Sequence, residues 1–499
     1  MKNLTSNNKL LFVTFTILII LIFFVIIFQE PAFANIDERS SIVKIYTVSV
    51  EPFYSVPWTM DATTLSSGSG CVIKGNRILT NAHVVSDQTF IQVRLYGKAE
   101  KYTAKVLAVS HESDLAILTV ENSAFFDDVK PLEIGELPEI QQNVSVYGFP
   151  EGGDTLSVTS GVVSRIEHSE YVHSQIKLLT AQIDAPVNPG NSGGPVIVDN
   201  RISGIVMQVI EDSQSIGYMV PAPIINHFLN DLKDYHYDGF PALGILYQKM
   251  ENKALKKKYG LFNKQSGVLI TSVCPGSSVE GSLKIDDIIL SIEDNIISGD
   301  GTIEFRPNER TSLEYFVQKH QVGEKIKLNV MRKGMVKKIH LSLKSSAEKF
   351  SLVPRQQYDI KPSYYIYGGF VFMPLTRNYL MMWDDPITDA PSKFLTLYKH
   401  GKLQSINNEI VVLSQVLPGE VNKGYHNYSD LIITHVDGNR INNLKNLIQI
   451  VENNREKEFV EFETKEGTKF VLDRKQAQAD LPDILKTYNV PNDRSENLY

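Results

Sequence analysis

Over residues 41–221 the chain is a succession of short segments in which apolar and polar residues alternate, each cut off by glycine, asparagine or aspartate. A period of two gives a strand one buried face and leaves a helix with none. The clearest case is Phe90-Ile91-Gln92-Val93-Arg94-Leu95-Tyr96. Gly70-Cys71-Val72-Ile73, Lys74-Gly75-Asn76 and Arg77-Ile78-Leu79-Thr80 read as a hairpin whose turn is supplied by Gly-Asn. Segments at 102–109, 114–120, 143–147 and 157–166 continue the series, and a helical pattern first arrives at Ile224-Ile225-Asn226-His227-Phe228-Leu229. Many short strands at this spacing belong in barrels or sandwiches. The fold class is mainly β, and this first domain is drawn over residues 36–235.

A length of 499 residues leaves room for further domains. The net charge of −7 supplies no basic footprint for nucleic acid. The one dense basic run, Lys253-Ala254-Leu255-Lys256-Lys257-Lys258, reads as a solvated helix face. Cys71 and Cys274 fall in different domains, which argues against a disulfide, and two thiols make no metal cluster. Ahead of the strands, Lys2 and Lys9 precede the uncharged run at residues 10–28, followed by Ala32-Phe33-Ala34. Two readings stay open for residues 1–34: an export signal cleaved after Ala34, which the Ala-x-Ala site favours, and a retained membrane anchor. Both put the remaining chain across a membrane, in the periplasm or on the outer face of the inner membrane.

Three motifs within the β region carry chemistry. Thr80-Asn81-Ala82-His83-Val84-Val85, Ser113-Asp114-Leu115-Ala116-Ile117-Leu118 and Asn188-Pro189-Gly190-Asn191-Ser192-Gly193-Gly194-Pro195-Val196 each sit at the end of a strand pattern. A hydroxyl is a weak nucleophile until a base takes its proton, and imidazole suits that task near neutral pH. A carboxylate then fixes the imidazole tautomer and stabilises the cation that forms. The expected catalytic residues are Ser192, His83 and Asp114. The backbone N–H groups of Gly190 and Ser192 are the expected oxyanion donors, since glycine lets the chain turn such groups inward. No cofactor or metal is called for. His111, His168 and His173 read as surface or loop residues.

These motifs closely resemble those of the HtrA/Deg (DegP-like) family of serine endopeptidases. The resemblance implies a chymotrypsin-like double β-barrel, with His83 and Asp114 on the first barrel and Ser192 on the second. It also implies ATP-independent cleavage of unfolded or damaged envelope proteins, and assembly as a homotrimer or a higher oligomer of trimers. Digestive relatives carry an aspartate where Asn191 stands, paired with an N-terminus freed by cleavage. A neutral amide cannot make that pair, so activity is expected to switch through the loops at 185–190 and 208–216. Pro186 departs from the small residue expected in the first of these and stiffens it. Gly204, Ile205, Val206 and Met207 are expected to line the specificity pocket, with a small or medium aliphatic P1 residue. The rival reading is a non-proteolytic chaperone or peptide-binding scaffold on the same fold; an intact triad disfavours it.

The rest of the chain holds a weak internal repeat. Gly267-Val268-Leu269-Ile270-Thr271-Ser272-Val273-Cys274-Pro275-Gly276 is echoed by Ile410-Val411-Val412-Leu413-Ser414-Gln415-Val416-Leu417-Pro418-Gly419, and helical patterns follow at 312–320 and 444–452. Both modules resemble PDZ domains of the permuted kind, α+β in construction, and the segments at 300–306 and 362–372 resemble the plant-type Deg branch. The first is drawn over 240–345, with Leu243, Gly244 and Ile245 expected to take a peptide carboxylate. A linker at 346–362, a degenerate second module at 363–480 and a polar tail at 481–499 complete the division. The aromatic run at 364–372 is read as core or subunit contact, and Met381-Met382-Trp383 as an exposed patch for subunit contact. Phe53, Tyr54 and Trp58, expected ahead of the first barrel, resemble in position aromatic residues with which the family builds trimers.

Overall fold

The computed structural model describes residues 38–151, 153–209, 216–262, 265–344 and 346–499. The signal or anchor at 1–34 and the centre of the 208–216 loop lie outside the described residues. Six strands close the first barrel: β1 (Ile42–Ser49), β2 (Thr64–Ile73), β3 (Arg77–Thr80), β4 (Gln88–Leu95), β5 (Tyr102–Ser110) and β6 (Leu115–Val120), in the order β1-β2-β3-β6-β5-β4. The period-two reading holds in β4, where Ile91, Val93 and Leu95 are buried. The β2–β3 turn places Gly75 at φ 87° and Asn76 at φ 54°, the positive values that tight hairpins favour.

After β7 (Glu133–Ile134), the second barrel is built from β8 (Asn143–Gly148), β9 (Ser157–Glu170), β10 (Lys177–Ile183), β11 (Pro195–Val198), β12 (Arg201–Val209) and β13 (Gly217–Pro221). Its ring runs β11-β8-β9-β10-β13-β12 and closes by the β11–β12 pairing. Helix α1 (Ala222–Asp231) seals it with Ile224, Ile225 and Phe228. The fold is thus the double barrel expected, followed by two PDZ modules.

The first module packs strands Ile245–Lys249, Val268–Val273, Ile288–Ile292 and Lys325–Arg332 beside the helix Leu313–Gln318. It docks on the second barrel through Arg306, which donates to the carbonyls of Leu137 (2.7 Å) and Pro138 (2.9 Å). The helix Lys253–Lys258 buries none of its residues, in keeping with a solvated face. The second module repeats the plan with Phe370–Pro374, Val411–Val416, Leu431–Val436 and the helix Leu444–Asn453. Tyr365, Tyr367, Phe370 and Phe372 lie in its core. Strand Tyr365–Tyr367 pairs with Phe370–Pro374 along the edge of this sheet.

Three expectations need correction. Residues 481–499 are not a polar tail: helix Arg474–Thr487 packs Ile484 inward, and the amide of Ile366 donates to the carbonyl of Asp493 (2.6 Å). The linker drawn at 346–362 is packed rather than free: Phe350 lies on the first module, and Arg355, Tyr358 and Asp359 bond to the first domain. Phe53, Tyr54 and Trp58 sit within the β1–β2 connection, not ahead of the barrel. Trp58 meets Tyr364 edge-on at 5.7 Å, Tyr54 packs on the second module, and Phe53 stays 42% exposed. In the patch at 381–383, Met382 and Trp383 pack on that module while Met381 is exposed.

Candidate active site

The first barrel ends two neighbouring strands at one rim. After β3 the chain turns through Asn81 and His83; before β6 it turns through His111 and Asp114, with Asp114 at φ 52°. Asn81 Nδ2 holds the Asp114 carbonyl (2.7 Å), and the His83 amide donates to Asp114 Oδ1 (2.9 Å). His83 Nδ1 lies 2.7 Å from Asp114 Oδ2. An ionised carboxylate only accepts, so Nδ1 carries the imidazole proton and Nε2 keeps its lone pair. The Asp114 side chain is 1% exposed and that of His83 32%, so the pair opens on one side only. Burial pulls the His83 pKa down, but the charge and hydrogen bond of Asp114 outweigh it and leave it above the ordinary histidine value. Burial pushes Asp114 up, and the His83 charge and hydrogen bond overcome this to hold its carboxyl below the usual carboxylate range.

Ser192 arrives from the second barrel, just before β11. The Asn191 amide donates to the Asn188 carbonyl (3.0 Å), closing a turn with Pro189 and Gly190 at its centre and Gly190 at φ 90°. Proline followed by a positive-φ glycine is the type II pattern. In a trans peptide the N–H points opposite to the C=O. The Pro189 carbonyl is held by the Glu151 amide (2.8 Å), so the Gly190 N–H faces the other way. The Asn191 carbonyl is held by the Gly194 amide (2.9 Å), so the Ser192 N–H is likewise turned out. Among the described residues neither N–H donates to another protein group. Ser69 ties this loop to the first barrel: its amide donates to the Ser192 carbonyl (2.8 Å) and its hydroxyl to the Gly190 carbonyl (2.7 Å).

The glycines of the loop leave no room for a side chain. A Cβ on Gly193 would fall 2.1 Å from the Ser69 carbonyl, and one on Gly190 would fall 2.5 Å from that of Phe149. Asn191 is 2% exposed and packs on Gly148. The four residues expected to line the specificity pocket lie on β12. Gly204 packs on Met219, while Ile205, Val206 and Met207 belong to the barrel core. Val206 instead backs the nucleophile loop, accepting from the Gly193 amide (3.0 Å) and donating to Gly194 (2.9 Å). Val187 and Gly217 face each other beyond it: a Cβ on Gly217 would lie 2.9 Å from Val187 Cγ2.

Two histidines read as surface or loop residues do lie in loops, and they stand beside His83. The His173 ring is 6.1 Å from that of His83, and burial lowers its pKa to about 4. His111 Nδ1 lies 3.0 Å from His173 Nε2. His168 meets Gln318 of the first PDZ helix (2.9 Å). Leu243, Gly244 and Ile245 line a cavity of about 430 Å³ beside that helix, with Phe350 against Gly244.

A double barrel with a His–Asp pair at the rim of the first barrel, a serine in a glycine loop of the second tied to the first through Ser69, and two PDZ modules following, defines the class of the trypsin-like serine endopeptidases. Residues 68–205 match the trypsin-like peptidase domain family, and residues 241–343 and 353–497 each match a PDZ domain family. The chain is 41% identical over 461 residues to putative protease Do-like 3, mitochondrial, of Arabidopsis thaliana, covering 92% of this chain and 80% of the relative. It is 37% identical to protease Do-like 2, chloroplastic, of the same plant, covering 94% and 77%. A serine protease DegP homolog of Plasmodium falciparum (isolate 3D7) is 31% identical, covering 82% and 58%. The fold is shared with the HtrA-type protease AlgWS227A solved with a decapeptide, at TM-score 0.51 and 20% identity, covering 63% of this chain and 97% of that one. The chain belongs to the HtrA/Deg (Do-like) family of serine endopeptidases, in its plant-type branch.

Proposed function

We propose that the chain is an ATP-independent endopeptidase for unfolded or damaged proteins, with Ser192 as nucleophile. His83 Nε2 takes the Ser192 proton as the hydroxyl attacks the scissile carbonyl, then returns it to the leaving amine; water repeats the cycle on the acyl-enzyme. Asp114 holds the tautomer and balances the imidazolium. The Gly190 and Ser192 N–H groups stabilise the oxyanion. The observation that supports this reading is a His83 already paired with Asp114 (2.7 Å), together with a Ser192 loop whose Gly190 and Ser192 N–H groups are turned outward and which Ser69 ties to the same barrel.

Val187 and Gly217 are the proposed walls of a small apolar P1 pocket, which fits an aliphatic residue. The cavity at Leu243, Gly244 and Ile245 is the proposed seat of a peptide C-terminus. The chain is expected to act beyond a membrane, in a bacterial envelope or an organelle, as its N-terminal apolar run and its relatives' names suggest. Exposed Phe53 and Met60 are available for trimer contact. Incubation with unfolded casein tests the reading: wild-type protein should degrade it and Ser192→Ala should not. If both leave casein intact while suppressing its aggregation, the scaffold reading replaces this one.

A further inference from the structure

The segment between the two PDZ modules reaches back to the catalytic rim. Tyr358 stacks on His173 with ring centroids 3.9 Å apart and planes 20° from parallel, and on His111 at 5.0 Å and 28°. Its hydroxyl donates to the His173 carbonyl (2.9 Å). Asp359 Oδ2 lies 2.9 Å from His111 Nε2. Asp87 and Asp359 exchange amide–carboxylate bonds, the Asp87 amide to Asp359 Oδ1 at 2.6 Å and the Asp359 amide to Asp87 Oδ1 at 2.8 Å. Arg355 donates to the Gln175 carbonyl.

These partners are not scattered. Asp87 follows His83 by four residues, His111 precedes Asp114 by three, and His173 faces His83 across 6.1 Å. A substrate chain whose scissile bond sits between Ser192 and His83 has to run past this wall on one side. The same segment is also held by the second PDZ module, between Arg355 and Tyr358. There the Gln357 amide and carbonyl pair with the Asn378 side chain, at 2.8 Å each.

We propose that residues 355–360 are an autoinhibitory strap, and that the wall they cover is a substrate subsite for an aromatic residue followed by an acidic one. Tyr358 and Asp359 occupy that subsite in cis: the ring takes the His173 face, and the carboxylate takes His111 and the Asp87 amide. Because the strap is anchored on the second module, movement of that module away from the barrels uncovers the subsite. The proposal rests on the reading of Ser192, His83 and Asp114 as the catalytic site.

The test uses the full chain. In Tyr358→Ala/Asp359→Ala, kcat/KM for a peptide substrate carrying an aromatic–acidic pair should rise on the order of tenfold, the worth of one or two such contacts. A synthetic peptide of residues 354–361 added to that variant should restore the low rate by raising KM and leaving kcat unchanged. Asp359→Asn, which keeps the shape, should give a smaller rise in the same direction, and its melting profile guards against misfolding. Equal turnover by wild type and both variants, with Ser192 labelled by a fluorophosphonate in all three, overturns the strap. No labelling in any of them overturns the protease reading, and the strap with it.

Discussion

Replacing Gly190 by alanine probes the oxyanion hole through the backbone rather than through a side chain. At φ 90° an L-residue is strained, by about 1–2 kcal/mol. The added Cβ would also lie 2.5 Å from the Phe149 carbonyl oxygen, 2.6 Å from the Glu151 nitrogen and 2.9 Å from the Pro150 carbonyl carbon. All three are backbone atoms and cannot rotate aside. The cheapest escape is for the Pro189–Gly190 peptide to flip, exchanging its bond from the Glu151 amide for a negative φ at position 190. The flip turns one donor out of the hole and puts a carbonyl in its place. Loss of one such donor costs about 2.7–4 kcal/mol in the transition state, or roughly 10²- to 10³-fold in kcat. Steady-state kinetics on a short peptide should therefore show kcat reduced by that factor with KM little changed. The melting temperature should move by only a few degrees, since the flip relieves the strain. A kcat within about threefold of wild type, with the fold intact, would refute the reasoning.

Three further outcomes follow from the geometry. Because His83 must be neutral to accept the serine proton and its pKa stands above the ordinary value, kcat/KM should fall as pH drops through a point above about 6.5. In Asp114→Asn both raising influences are gone, so the same pH–rate profile should shift to lower pH with turnover reduced by about 10⁴. Asn191→Asp buries a carboxylate where Asn191 Oδ1 has no hydrogen-bond partner among the described residues, at a cost of about 3 kcal/mol near neutral pH. The gap to wild type in denaturant titrations should narrow toward acid pH, where the group is protonated in both states. Arg306→Ala removes three charge-assisted bonds, to the Leu137 and Pro138 carbonyls and the Glu139 carboxylate, that dock the first PDZ module on the second barrel. Limited proteolysis at residues 232–244 should accelerate several-fold in that variant while Ser192 labelling is retained.

The double barrel was legible because alternation such as that of β4 is a local signal, and Ser192, His83 and Asp114 because each lies in a short motif at a strand end. What escaped is non-local. The burial of Ile205 and Val206 was not legible, since the register that turns them into the core depends on pairing with β11 and β13. Residues 481–499 looked like a tail because their polar residues dominate; the sparse apolar spacing of Leu481, Ile484, Leu485 and Tyr488 is meaningful only once the second module offers a face to it. His111 and His173 gave no signal, because what sets them apart is contact with Tyr358 and Asp359, far along the chain. The Glu151 amide could not be singled out at all, being a backbone group.

The central claim is that Ser192 is activated by its surroundings. Intact-mass and peptide-mapping analysis after treatment with a fluorophosphonate tests it most directly. One adduct on Ser192 is expected in the wild type, with none in Ser192→Ala and slow labelling in His83→Ala. Absence of label on wild-type Ser192, or equal labelling rates with and without His83, would contradict the account.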